Sequence, residues 1–343
     1  MKLLIITQKV DINDPILGFF HRWIIEFAKH CEQIIVICLE KGEYDLPSNV
    51  KVLSLGKENG PSRLKYIWRF YKYIWQERKN YDKVFVHMNQ EYILLAGWWW
   101  RFLGKEIFMW YNHHSGSWLT ELTVVFCNKV FCTSKYAFTA RFKKTVLMPV
   151  GVDTRLFKKD FSINKIPQSI LFLGRISPVK RPHLLIEVLN LLKENGVIFE
   201  ANFYGDALPK DQNYFNKLKK IVIDKNLSGQ INFYPGVPNR DTVAIYNRHK
   251  IFVNLSSSGM YDKTIFEAMA CGCLILVSND NLRGRISDDF IFQDGDRGEL
   301  FKKLNNLLCD NISDKENKEI YLNELLQENS LEVLGDNLFI SIK

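Results

Sequence analysis

The sequence predicts an α/β protein made of two doubly wound domains in tandem. Apolar runs of strand length alternate with longer segments of helical period. That rhythm breaks once, at residues 149–168, and then restarts. The length of 343 residues also exceeds the size at which one hydrophobic core usually stops growing.

The elements follow in order. LLIIT (3–7) is a short apolar run suited to a buried strand, and FFHRWIIEFAKH (19–30) repeats its apolar residues at helical spacing. QIIVICL (33–39), KVLSL (51–55), KVFVHM (83–88), KEIFMWY (105–111) and KVFCTS (129–134) are further strands with helices between them. After PVGVDTRLFKKDFSINKIPQ come a strand SILFLG (169–174), a helix PHLLIEVLNLLKENG (182–196), a strand IFEANFYG (198–205) and an amphipathic segment ending at Lys225. QINFYPG (230–236), KIFVNLSS (250–257), the helical TIFEAMACG (264–272) and CLILVS (273–278) complete the pattern. Such alternation gives parallel sheets covered on both faces, with ligands bound beyond the carboxyl ends of the strands and a cleft between two such domains as the default site.

Composition narrows the function classes. An apolar fraction of 47% and an aromatic fraction of 13% exclude a disordered or fibrous chain. Residues 1–157 carry 22 basic and 14 acidic side chains, whereas residues 158–343 carry 24 of each, so the net charge of +8 lies in the first half. An anionic partner is expected there, and a solvated basic face is the plain alternative. The seven cysteines have no zinc-ligand spacing and sit mostly in apolar runs, as small core residues of a protein from a reducing cytosol do. The first residues have too short an apolar run for a signal peptide, and no run reaches the length of a membrane span. A cytoplasmic protein, soluble or peripheral on a membrane, is the expectation. Neither GxGxxG after the first strand nor GxxxxGK[ST] occurs, which removes the main signatures of nicotinamide or flavin enzymes and of P-loop proteins.

Two clusters carry chemistry. In GRISPVKRP (174–182), Gly174 and Arg175 follow a strand, and Lys180 and Arg181 open the next helix. A glycine there lets another backbone approach closely, and converging cations beside a helix N-terminus suit a diphosphate. In NLSSSGMYDKTIFEAMACG (254–272), Asp262 is placed to cap a helix starting near Lys263, and Glu267 lies about one turn in. Glu267 is expected to be the one charge among buried residues, placed to face hydroxyl groups.

Together, GRISPVKRP and FEAMACG (266–272) resemble the donor domain of family-4 retaining glycosyltransferases of the GT-B fold. YGD (204–206), INFYPGVP (231–238) and PVGVDTRLF (149–157) fall in the same order and spacing. TQKVDINDPILGFFHRW (7–23), HMNQEYILLAG (87–97) and WYNHHSGSW (110–118) resemble stretches of bacterial members that build surface polysaccharides. The resemblance implies two Rossmann-like domains facing across a cleft. Residues 1–157 would bind the acceptor and 158–343 the sugar nucleotide, with the last helix a candidate to pack back on the first domain.

The resemblance also implies roles. Arg175 and Lys180 would hold the donor diphosphate and stabilise the leaving group, Glu267 would bind the ribose hydroxyls, and the backbone around Val237 would border the base. Gly18 would let the first domain approach the phosphates, and His113 would contact the donor sugar near the reacting carbon. Many members carry E-x7-E, but Gly259 stands eight residues before Glu267 in this chain. Asp262 and Lys263 are the candidates to replace the missing carboxylate, and Gly174, Gly259 and Thr264 complete the donor-binding set. The implied activity is a hexosyltransferase-like transfer from a UDP- or GDP-sugar to an acceptor hydroxyl. Neither a cofactor nor a metal is implied, because fixed cations and helix amides can stabilise the developing charge.

Other constellations read as structural. Asp294-Gly-Asp296 imitates a DxD metal motif but precedes a helical segment that it can cap. The adjacent pair His113-His114 is poor geometry for one ion. His21 and His87 are candidates for the cleft, while Ser115, Ser117 and Ser134 lack a nucleophile context.

The basic excess has one distinctive segment, RLKYIWRFYKYIWQERK (63–79). Leu64, Ile67, Trp68, Tyr71, Ile74 and Trp75 form a helical stripe, with Lys65, Arg69, Lys72 and Lys79 opposite. Such a stripe ordinarily packs on a sheet. Its flanking aromatics and the nearby Trp98-Trp99-Trp100-Arg101-Phe102 also suit a membrane interface, with Arg63, Lys65, Trp68, Arg69, Lys72 and Trp75 as contacts for a membrane or for a lipid-linked, phosphate-bearing acceptor. No nucleic-acid motif accompanies them, so a nucleic-acid partner is not expected. A GT-B epimerase or hydrolase acting on the same donor is the alternative enzyme.

Overall fold

The structure is a computed structural model describing residues 1–60, 62–256, 259–309 and 323–343. It divides into two compact units: residues 1–151 with 238–240 and 331–343, and residues 152–237 with 241–330.

The first unit holds a seven-stranded parallel sheet in the order β3-β2-β1-β4-β5-β6-β7. Its strands are β1 (Lys2–Val10), β2 (Gln33–Lys41), β3 (Val50–Ser54), β4 (Lys83–His87), β5 (Glu106–Trp110), β6 (Lys129–Cys132) and β7 (Thr145–Leu147). β1 lies centrally, with Ile5 opposite Val36 on one side and Phe85 on the other. Alternate residues of β1 point to opposite faces. Leu3 and Ile5 meet α1 (Gly18–Ala28) and the C-terminal helix Leu331–Ile342, whereas Leu4 and Ile6 meet α2 (Arg63–Gln76), α3 (Glu91–Phe102) and α4 (Trp118–Phe126). The interiors of β1, β2, β4, β5 and β6 are therefore covered twice, which explains their continuous apolar runs in place of alternation. The C-terminal helix is part of this core. Phe339 packs edge-on against Phe27 at 5.5 Å and is buried.

The second unit has a five-stranded parallel sheet in the order β10-β9-β8-β11-β12. It comprises β8 (Ser169–Leu173), β9 (Glu200–Tyr204), β10 (Ile231–Tyr234), β11 (Ile251–Asn254) and β12 (Leu274–Val277). The helices are α5 (Pro182–Glu194), α6 (Gln212–Asp224), α7 (Thr242–Arg248), α8 (Lys263–Ala270) and α9 (Arg297–Cys309). Strand order reverses between β8 and β11, as it does between β1 and β4 in the first unit. Chains leaving a parallel sheet diverge at such a point and open a crevice, so it is the expected ligand position in each sheet.

The expected boundary after residue 157 is corrected to 151. Val152 bridges to Ser330 and Phe157 packs edge-on against Tyr246 at 6.2 Å, so this segment belongs to the second unit. The short edge strand β7 lay outside the sequence expectations, because three residues give no periodicity to detect.

The expected packing of the α2 stripe is also corrected. Of α2, only Phe70 and Ile74 are buried, while Leu64 is 82% exposed, Trp68 62% and Trp75 51%. The helix turns its aromatic flank to the sheet and most of the stripe outward. Arg69 turns inward and donates to the Leu55 carbonyl at 2.9 Å, lying against Gly56, so it braces the loop after β3. Trp100 is likewise a core residue, its indole donating to the Tyr81 hydroxyl at 3.1 Å.

Candidate active site

The switch point of the second sheet is built from the ends of β8 and β11 and the start of α8. β8 ends at Leu173, and Gly174 continues at φ +153°, a conformation open to glycine. Its amide donates to the Tyr204 carbonyl at 3.0 Å. β9 is followed by Gly205 at φ +150°, where a Cβ would lie 1.9 Å from the Gly174 carbonyl oxygen. The close approach expected of Gly174 is thus enforced by Gly205, while the space above Gly174 itself is empty. Arg175 follows, exposed, with no hydrogen bond or ion pair among the described residues.

Lys180 ends a short 3-10 turn (Pro178–Lys180) and points its ammonium at the end of β11. It donates to Ser256 Oγ at 3.1 Å and forms a short ion pair with Asp262. Asp262 is the N-cap of α8. Its Oδ1 accepts from the Thr264 amide at 3.3 Å and the Thr264 hydroxyl at 2.9 Å. Its Oδ2 accepts from Asn254 Nδ2 at 3.0 Å and Ser256 Oγ at 3.3 Å, besides Lys180. Burial alone would push this carboxyl up, but the Lys180 charge and these hydrogen bonds hold it well below the usual carboxylate range. Asp262 therefore stays ionised and committed on both oxygens. It is a poor replacement for a sugar-facing glutamate and a good orienting group for Lys180.

Arg181 does not converge with Arg175 and Lys180. It adopts φ +52° and makes a two-pronged contact with Asp294, at 2.5 and 3.2 Å. Asp296 accepts from the Glu299 amide at 2.9 Å and caps α9. Both acids of Asp294-Gly-Asp296 thus have structural partners.

Glu267 is buried one turn into α8 and accepts from the Tyr246 hydroxyl at 3.3 Å. Burial and the neighbouring Glu267 charge push the Tyr246 phenol well above its ordinary value, so it remains a donor. Glu267 is the one charged side chain of this segment that is buried among the described residues, and Lys263, one turn earlier, is half-buried. Burial pushes the Lys263 ammonium down, and the carboxylates of Glu267 and Asp153 recover part of that shift. Gly259 lies at φ +64°, and Val237 is half-buried in the loop after β10.

In the first unit, the loops after β4 and β5 border an open pocket of about 380 Å³, lined by Met88, Gln90, Tyr111, His113, Ser115 and Thr120 among others. His113 Nδ1 lies 3.1 Å from both the amide nitrogen and the carbonyl oxygen of Ser115, and 3.0 Å from its Oγ, so Ser115 holds the ring in place. Gln90 Oε1 is buried there without a hydrogen-bond partner among the described residues. Gln90 lay inside the quoted HMNQEYILLAG, yet nothing in its spacing marked it. Gly18 opens α1, where a Cβ would come 3.2 Å from the Ile12 carbonyl oxygen.

The two histidines left as cleft candidates are core residues. His87 stacks on Phe20 at 4.1 Å, and His21 Nε2 accepts from the Asp45 amide at 3.0 Å while buried. His113 and His114 stack on one another at 4.8 Å. Ser117 and Thr120 form a capping box at α4, and Ser134 Oγ accepts from the Tyr136 amide.

Two doubly wound parallel-sheet units, one carrying cations and a capped helix at its switch point, define the GT-B class of glycosyltransferase folds. Residues 153–323 match the family of glycosyl transferases group 1. HepE from Anabaena in complex with UDP and glucose superposes with a TM-score of 0.77 at 17% identity, covering 100% of this chain and 99% of that one. A D-inositol 3-phosphate glycosyltransferase of Mycobacteroides abscessus is 24% identical over 136 residues, 37% of this chain and 30% of that protein. Chloroplastic digalactosyldiacylglycerol synthase 2 of Arabidopsis thaliana is 22% identical over 224 residues, 62% of this chain and 43% of that protein. The aligned parts thus span less than half the length of either curated relative.

Proposed function

We propose that the protein is a retaining glycosyltransferase that moves a sugar from a UDP- or GDP-sugar to an acceptor hydroxyl. The acceptor in this reading is a lipid-linked saccharide in cell-surface polysaccharide or glycan assembly. The reaction takes place in the cytoplasm, with peripheral contact between the N-terminal unit and the inner face of the plasma membrane. The carrying observation is the switch point of the second sheet, where Lys180 is oriented by the N-cap of α8 and uncommitted Arg175 follows the end of β8. UDP bound to HepE, at the same fold, supports the donor class.

The chemistry follows from where charge develops. The bond between the anomeric carbon and the diphosphate oxygen breaks, leaving positive charge on the sugar and negative charge on the diphosphate. Arg175, Lys180 and the positive end of the α8 dipole would neutralise the leaving group, which needs neither a metal nor a cofactor. The acceptor oxygen then bonds to the same face of the anomeric carbon, and its proton passes to the departing phosphate oxygen. Glu267, with one oxygen held by the Tyr246 hydroxyl, would accept from the ribose hydroxyls, and Val237 would border the base. Thr264 and Gly259 line the start of α8, while Gly18 and His113 would serve the donor from the N-terminal unit.

A panel of UDP- and GDP-sugars, incubated with and without membrane-extracted acceptor lipids, tests the reading. Label from one donor should pass to lipid only when acceptor is present. Rapid conversion of the donor to free or epimerised sugar without acceptor would favour the hydrolase or epimerase reading instead.

A further inference from the structure

We infer that the outer surface of the α2–α3–α4 layer is a docking face for an anionic lipid bilayer. The inference deepens the lipid-linked acceptor reading and rests on it for the choice of a membrane as occupant. The three helices form one layer over the same sheet face, through Phe70 and Ile74 of α2, Ile93, Ala96 and Trp100 of α3, and Val124 of α4. They also hold each other: Tyr71 donates to the Leu95 carbonyl at 2.9 Å, and a Cβ on Gly97 would reach 2.9 Å from the Phe126 ring.

With the inward side satisfied, large apolar side chains still stand outward on all three helices. Leu64, Trp68 and Trp75 of α2, Trp98 and Phe102 of α3 and Trp118 of α4 are all more than half exposed. So much exposed aromatic surface on one layer marks a contact surface. Cations sit among the rings: the Lys72 ammonium lies 5.0 Å from the Trp68 ring centre, and the Arg78 guanidinium 4.1 Å from that of Trp75. α2 contains no acidic residue and starts with Arg63 and Lys65, against its own dipole. An anionic surface would relieve that repulsion.

Indoles beside ammonium and guanidinium groups match the headgroup boundary, where the ring is half-buried and the cation meets phosphate. A second copy of the chain fits less well. A two-fold contact through α2 would oppose Arg63, Lys65 and Lys72 with no carboxylate on that helix to pair them. Among the described residues no helix is long and apolar enough to cross a membrane, so the face would lie on the bilayer surface.

Sedimentation of the whole chain with vesicles tests this, comparing phosphatidylcholine with an equimolar phosphatidylglycerol–phosphatidylcholine mixture. Binding should appear on the anionic vesicles at low salt and weaken as salt rises. The double variants Trp98→Glu/Phe102→Glu and Lys65→Glu/Lys72→Glu should each lower the partition coefficient by about tenfold or more. Both pairs are exposed, and an unchanged melting temperature would confirm that each variant folds. No binding at low salt, or equal binding by wild type and both variants, would overturn the inference. So would a concentration-dependent dimer that the Trp98→Glu/Phe102→Glu change dissolves while vesicle binding persists. The melting response to UDP and GDP is recorded on the same samples. A chain that binds vesicles through this face yet ignores both nucleotides would sustain the docking face and defeat the glycosyltransferase reading.

Discussion

Lys180 holds two jobs that mutation can separate. In the unliganded protein it is the charged partner of Asp262, and in the proposed reaction it binds the departing diphosphate. Lys180→Ala removes the ion pair and the donor to Ser256, leaving Asp262 with Asn254, Ser256 and Thr264. Breaking a fully buried pair costs about 3–5 kcal/mol, but these side chains are 27% and 17% exposed and the carboxylate keeps other donors. A loss of about 1–3 kcal/mol is therefore expected, or roughly 2–10 °C in the melting of a unit this size. Asp262→Asn should cost a similar amount while keeping a helix cap, since asparagine caps as well as aspartate. Binding should divide the two variants. Lys180→Ala loses a charge-assisted contact of about 1.5–3 kcal/mol, so UDP or GDP affinity falls at least about tenfold. Asp262→Asn keeps the cation and removes a competing carboxylate, so its affinity should equal or exceed that of wild type. Titration calorimetry on both proteins reads this directly. A destabilised Lys180→Ala that binds nucleotide like wild type would show Lys180 to be structural only and refute the reasoning.

Two further outcomes follow. Because Asp262 is held lower in the folded protein than the unfolded carboxylate value of about 3.9, its ionisation stabilises the fold above that pH and is lost as pH falls through the folded value. In urea unfolding, the stability gap between wild type and Asp262→Asn should be full at neutral pH and shrink in acid below that value; a gap that persists or widens there would contradict it. Gly205→Ala should destabilise the second unit by roughly 2–4 kcal/mol, because the new Cβ would meet the Gly174 carbonyl oxygen at 1.9 Å on backbone at φ +150°. An unchanged urea midpoint would mean that the two strand ends can separate freely.

Much of this architecture was legible because burial on both faces writes strands as continuous apolar runs. SILFLG and KIFVNLSS became β8 and β11, and Asp262 became the cap it was placed to be. Long-range pairings were not legible. Nothing near Arg181 announces Asp294, and nothing near Lys180 announces Asn254 and Ser256, since strand order brings those segments together. The α2 stripe misled for a different reason: periodicity shows that a helix has two faces but not which one meets the sheet. Phe70 and Ile74 made that choice by packing into the buried layer that holds Tyr92 and Trp100, and the larger apolar face was left in solvent. His87 and His21 sit in core positions that sequence spacing cannot distinguish from a cleft.

The central claim is that the switch point of the second sheet binds a nucleoside diphosphate, and a thermal-shift comparison of UDP, GDP and ADP on wild type and Arg175→Ala tests it most directly. A nucleotide at about a hundred times its dissociation constant adds about 2.7 kcal/mol to the apparent stability of the fold. UDP or GDP should therefore raise the wild-type transition by several degrees. Arg175 is exposed and makes no ion pair among the described residues, so Arg175→Ala should melt unchanged without ligand and lose most of that response. A wild type that ignores all three nucleotides, or an Arg175→Ala protein that responds as fully as wild type, would contradict the assignment.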